Sequence, residues 1–272
     1  MRAAYLIAIC CIGVLVSSTG TPKHDSHPTA RIPVARRTPS IESRVNHKAN
    51  ATVPLPEVRY KVYVHSELTR QPKALRSDEH LHCHHKAEKP WNVTRHVNGI
   101  RFFWNAEGSD LAAEHLRRVL QEAADTWSEE APTLPDIVLE KSDSLILPST
   151  LASGIRNGRN EIAFGEPRTT LPQSEVLAEA FVWHNHTSNE ILEVDLLFRA
   201  PSAKVSWFTD HGQHSSDAFD LHSVATACIG HAIGLGISDE HYHSTFGLSG
   251  RGETHKRTLE CGDKQAARKL YS

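Results

Sequence analysis

The chain has 272 residues, 39% of them hydrophobic, and a formal net charge of −2, which suits a globular protein and gives no reason to expect a nucleic-acid partner. Its charge is uneven: residues 21–90 carry 13 Lys and Arg against 7 Asp and Glu, whereas residues 91–272 carry 16 against 25. A basic arm therefore precedes an acidic body, and the arm either attracts the body or is simply solvated.

Residues 1–20 have the features of a secretory signal: Arg2, a short apolar run over 3–16, and the small residues Ser18, Thr19 and Gly20. No later stretch approaches the ~20 apolar residues a membrane helix needs. Sequons at Asn50, Asn92 and Asn185 fit a glycosylated secreted protein. Removing the signal takes Cys10 and Cys11 with it and leaves Cys83, Cys228 and Cys261. In an oxidising compartment one of three thiols stays free or pairs outside the chain. Cys228 lies in an apolar helical pattern, which favours Cys83 and Cys261 as the bridging pair.

Residues 21–56 lack hydrophobic periodicity and read as a disordered arm. The stretch VRYKVYV (58–64) puts Val58, Tyr60, Val62 and Val64 on one face, the pattern of a strand. Next, EHLHCHHK (79–86) sets His80, His82, His84 and His85 around Cys83. That density suggests metal binding, but adjacent residues rarely converge tetrahedrally, which favours a surface loop. Residues 99–104 read as a strand and 109–130 as a helix, with Ser109 as N-cap and an apolar stripe of Leu116, Val119, Leu120, Ala123, Ala124 and Trp127. Short strands are predicted at 136–141 and 161–164, and longer ones at 177–183 and 191–198 around a polar turn. Asp220 caps a helix running to Gly234, and 265–271 closes the chain as a short helix. The order predicts an α/β (α+β) domain over 91–272, behind the 21–90 arm.

The helix holds the chemistry. A helical zinc hydrolase needs two histidines at i and i+4, a glutamate after the first as general base, a glycine three residues past the second, and a third histidine three further on. In SVATACIGHAIGLGIS (223–238) the second histidine is His231 and the glycine is Gly234, but Ala227, Cys228 and Ile237 stand at the other three positions. With EVDLLFR (193–199), Trp207, FDLHSVATACIGHAIGLG (219–236) and the closing RTLECGDKQAARKLYS (257–272), residues 91–271 resemble a matrixin, a metzincin zinc endopeptidase of the matrix-metalloprotease type. The resemblance implies a twisted five-stranded mixed sheet, two backing helices and a short C-terminal helix. It also implies a zinc ion, which this motif is expected to have lost or to bind weakly. Phe246 stands at the family's methionine-turn position, and no cysteine-switch segment is recognisable.

Three functional expectations follow. The leading one is a secreted pseudoprotease that retains the turn at Gly234 and binds peptides or extracellular proteins. The second is an active zinc endopeptidase with relocated ligands drawn from Cys228, His231, His241 and His243. The third is a non-catalytic metal-binding protein using His80–His85. No carboxylate replaces the general base unless Asp239 or Glu240 reaches inward.

Overall fold

The structure is a computed structural model that describes residues 41–45, 58–69, 83, 88, 90–92, 95–171, 174–209 and 215–272. Residues 1–20, read above as a signal, together with Asn50, His80, His82, His84 and His85, lie outside the described residues. In chain order the elements are β1 (Ile41–Val45), β2 (Val58–Glu67), β3 (Ile100–Trp104), α1 (Ala113–Ser128), β4 (Ile137–Lys141), α2 (Pro148–Ala152), β5 (Asn160–Gly165), β6 (Val176–Asn185) and β7 (Ile191–Arg199). There follow β8 (Trp207–Phe208), β9 (Phe219–Asp220), α3 (Leu221–Ala232), β10 (Leu248–Ser249), a 3-10 turn (His255–Arg257) and α4 (Cys261–Leu270). The class is mixed α+β.

Eight strands form the main sheet, in the order β1-β2-β6-β7-β5-β3-β4 with β10 beside β2. Strands β4, β3, β5 and β7 pair in parallel, while β6 runs antiparallel to β7 and to β2. The five strands expected from the sequence are thus contiguous, but the sheet is larger than expected. Strand β2 extends it into the 21–90 arm, and β1 forms within a stretch read as disordered. The backbone ladder supplied by β2, not local periodicity, accounts for β1.

Alternation along the strands feeds two cores. On one face Phe102, Val182, Val194, Leu196 and Phe198 pack with the α1 stripe and with α3. On the other, Tyr60, Val62, Val64, Phe181, Trp183 and Leu197 pack with Ile146 and with Leu151 of α2. The buried residues of α1 are the six of the predicted stripe. Ser109 does not cap α1; its hydroxyl accepts from Leu111 N and donates to Ala106 O, while the N-cap residue is Ala112 with no side-chain cap bond. The final helix begins at Cys261, four residues earlier than predicted, because Glu260 and Asp263 form a reciprocal capping box there. Segment 193–199 contributes structural carboxylates. Glu193 accepts from the backbone N–H groups of Asn157 and Gly158, and Asp195 accepts from Glu161 N, which holds the start of β5 to β7.

All twelve residues of α3 are buried. Asp220 accepts from Ser223 N at its start and is gripped by Arg257, with two contacts of 2.7 Å. At its end the orphan carbonyls of Ala232 and Ile233 accept from Trp91 Nε1 (2.8 Å) and the Tyr271 hydroxyl (2.7 Å). Gly234 follows with φ +105°, the left-handed conformation that lets a helix stop sharply. Gly230 has a packing reason: a Cβ there would lie 2.6 Å from both the Trp127 ring and Thr245. Trp127 also donates from Nε1 to Thr226 O, fixing α1 against α3. Cys83 and Cys261 are joined as a disulfide, Cα atoms 5.0 Å apart, and Cys228 is free and buried.

Two outcomes follow from this packing. Gly230→Ala overpacks the α1–α3 contact and is expected to cost about 1–3 kcal/mol in urea unfolding, without loss of secondary structure by circular dichroism. Closing 178 residues with the disulfide constrains the unfolded chain, so Cys83→Ser with Cys261→Ser is expected to lower stability by up to about 5 kcal/mol, read as a drop in the thermal midpoint that reductant does not deepen.

Candidate functional site

The last turn of α3 carries His231, which is fully buried. Its Nδ1 lies 2.9 Å from the Leu235 carbonyl. A carbonyl only accepts, so Nδ1 bears a hydrogen, and in the neutral tautomer that this contact selects the lone pair sits on Nε2. That tautomer is the one a metal-binding histidine uses. The other motif positions lack its partners. Ala227 and Cys228 are both fully buried, Cys228 within the main core, and Ile237 packs against that core. Burial pushes the Cys228 thiol up, so it packs as a neutral group rather than ionising as a ligand.

Strand β2 covers His231. The Tyr63 ring stacks on it, centroids 4.2 Å apart and 5° from parallel, and the His65 ring lies 5.0 Å away. Tyr63 OH and Lys61 Nζ both donate to Glu88, each at 2.6 Å. Glu88 in turn donates its backbone N–H to Gly234 O at 2.8 Å. Its carboxylate stands 2.8 Å from where a Cβ on Gly236 would lie. Glu88 therefore clamps β2 to the turn that ends the helix.

His241 and His243, the proposed substitute ligands, have other work. His241 stacks on His255 at 5.0 Å, meets the edge of Phe246, and lies 3.9 Å from Glu253. His243 Nδ1 meets Ser238 Oγ at 2.6 Å, and its ring fills the space beside Gly262 at the start of α4. Asp239 is exposed, and the hydroxyl of Ser238 accepts from the backbone N–H of Glu240. Among the described residues no group of three or more His, Cys, Asp and Glu side chains is disposed to hold a metal ion. Of the sequon asparagines, Asn185 begins the β6–β7 turn, accepting from Thr187 N and Ser188 N, and Asn92 Nδ2 donates to Glu190.

Sequence reasoning missed Lys256. Its ammonium is buried, donating to Phe246 O at 2.7 Å, to Leu248 O and to Ser249 Oγ at 3.1 Å, above the Phe246 ring. Burial lowers it to about 7. Phe246 thus supports an ammonium with its carbonyl and ring. Nothing in the local pattern THKRTLE marks that lysine, because its partners are carbonyls. Glu88 was missed for a different reason: it is one charge between two lysines, and its side-chain partners Lys61 and Tyr63 lie 27 and 25 residues earlier.

No protein-family model and no curated protein matches this chain.

Burial first, then repulsion from His231 and Lys256, holds His65 well below the ordinary imidazole value. The folded state therefore takes up this proton less readily than the unfolded chain. The contribution is complete above about pH 6.5 and is lost as the pH falls through the lowered folded value. Urea titrations of wild type and His65→Phe at pH 7.5 and pH 5 check this. The expected result is that the wild type loses more stability on acidification than the variant, which has no proton to gain at this position.

Proposed function

We propose that this chain is a secreted pseudoprotease of the matrixin fold, a metalloendopeptidase scaffold that binds peptides or extracellular proteins without cleaving them. The observation that carries this reading is the setting of His231. It is the one retained ligand position of the motif, buried under Tyr63, with Ala227, Cys228 and Ile237 filling the other three positions by apolar packing. Five contiguous mixed strands backed by α1 and α3, with a glycine turn after α3, suit the family's architecture. The disulfide suits an oxidising compartment.

The residues present do not fit a catalytic zinc ion. One imidazole with its lone pair on Nε2 supplies a single donor, whereas a catalytic zinc needs three protein ligands and an open position for water. Neither Ala227 nor Ile237 has a donor atom, and no carboxylate takes the place of the general base at Cys228. The capability proposed for this scaffold is recognition of peptides or extracellular proteins without cleavage.

Metal analysis and casein cleavage on the purified secreted chain test this. The expected result is below about 0.2 zinc per chain, unchanged by His231→Ala, with no hydrolysis of casein or gelatin. One tightly held zinc that is lost in His231→Ala, together with hydrolysis, would instead establish a protease with relocated ligands. Zinc that survives His231→Ala but disappears when His80, His82, His84 and His85 are replaced would establish the metal-binding reading.

A further inference from the structure

The chain contains two Asn-Gly pairs, Asn98-Gly99 and Asn157-Gly158, and the fold treats them in opposite ways. In such a pair the glycine nitrogen can approach the preceding side-chain amide closely, because no Cβ stands in the way. At the first pair Gly99 N donates to His96 O at 2.9 Å, and a Cβ on Gly99 would lie 2.7 Å from Asp136 O. That nitrogen faces a carbonyl, which is a poor base, and the glycine is packed against neighbouring backbone. The second pair lies in the exposed loop between α2 and β5. There Gly158 N donates to Glu193 Oε2 at 2.6 Å and Asn157 N to Glu193 Oε1 at 2.7 Å. The Asn157 side chain is held too: Oδ1 accepts from Arg159 N at 2.8 Å, and Nδ2 donates to Glu161 Oε2 at 2.9 Å. Nothing lies within 4 Å of where a Cβ on Gly158 would stand, so there is room for a ring to close. Glu193 is itself buried. Burial first, and then Glu161, raise its carboxyl, against the lowering effect of the two N–H groups and Arg156.

We propose that Asn157 is a self-modification site, at which Glu193 takes the proton of Gly158 N and the side chain deamidates through a succinimide. In the first step the Gly158 nitrogen, losing its proton to the Glu193 carboxylate, forms a bond to Asn157 Cγ. The carbonyl electron pair moves onto Oδ1, where the Arg159 N–H meets the developing charge. In the second step that pair returns and the Cγ–Nδ2 bond breaks. Nδ2 leaves as ammonia, carrying the proton that Glu193 hands back. Water then adds to either ring carbonyl, and opening gives aspartate or isoaspartate at position 157. Water is the only co-reactant. The inference does not depend on the peptide-binding reading. Its consequence falls on the contact that holds the start of β5 to β7. The product places a new carboxylate beside Glu161 and Glu193 and removes the Nδ2 donor. Isoaspartate also adds a methylene to the main chain, so the two N–H groups no longer fit Glu193 together.

The test incubates the full oxidised chain at pH 7.5, folded or unfolded in guanidinium chloride. Peptides spanning both pairs are followed by mass spectrometry, and isoaspartate is scored by enzymatic methylation. Unfolded, the two pairs are the same dipeptide and are expected to react alike. Folded, Asn157 is expected to react at least about tenfold faster than Asn98, and faster than it does itself when unfolded, since a positioned base contributes about 10²–10⁴-fold. Glu193→Gln keeps an acceptor oxygen but not the base, and is expected to slow Asn157 at least about tenfold while leaving Asn98 unchanged. Because that variant also alters the β5–β7 contact, the wild type is followed against pH as well. The charged groups facing Glu193 are Arg156, Glu161 and Asp195. The rate at Asn98 is expected to rise with hydroxide throughout, whereas the rate at Asn157 levels off once Glu193 is ionised. Three results overturn the proposal: Asn157 reacting no faster folded than unfolded, an Asn157 rate that climbs with hydroxide throughout, or a folded Glu193→Gln variant that deamidates at the wild-type rate.

Discussion

Helix α3 has no exposed face, and much of the molecule follows from the need to cover it. A helix buried on all sides cannot rest on one amphipathic stripe; it needs a neighbour in every direction. The sheet lies along one side through β6 and β7. On another lies α1, whose Trp127 ring comes so close that position 230 has room only for glycine. The 3-10 turn reaches the helix start through Arg257 and Asp220. Trp91 and Tyr271, 180 residues apart, meet at its last carbonyls. The remaining opening, over His231, is closed by β2.

That closure sets the chemistry of the site. Under β2, His231 lies buried against Tyr63 and His65, and Cys228 and Lys256 are buried nearby in the chain's interior. Taking a charge out of water is costly, so the His65 imidazole and the Cys228 thiol are driven toward their neutral forms, and Lys256 is lowered to about 7 despite three oxygen partners. The proposed loss of catalytic zinc thus follows from the missing ligands along the helix.

Glu88 joins β2 to the turn after α3. Its carboxylate receives Lys61 and Tyr63 from the strand, and its backbone N–H reaches Gly234 in the turn. One residue therefore bonds both the strand and the turn. The Cys83–Cys261 bridge, five residues before Glu88, fixes the same connection to α4.

What the sequence by itself determined is what repeats at short range. The α1 stripe, the alternation in β2, β6 and β7, the Asp220 cap and the Gly234 stop are legible because helix and strand periods and cap chemistry act over a few residues. The vacant motif positions at 227, 228 and 237 are equally legible, since the absence of a donor atom needs no coordinates. Only the tertiary structure decided that β2 joins the sheet beside β6, that Tyr63 lies on His231, and that Glu88 and Lys256 serve the site. It also gave Gly230 its reason in Trp127, a residue 103 positions earlier in the chain. Each of these depends on a contact between distant segments, and neither spacing nor residue type along the chain records which distant partner a side chain will meet.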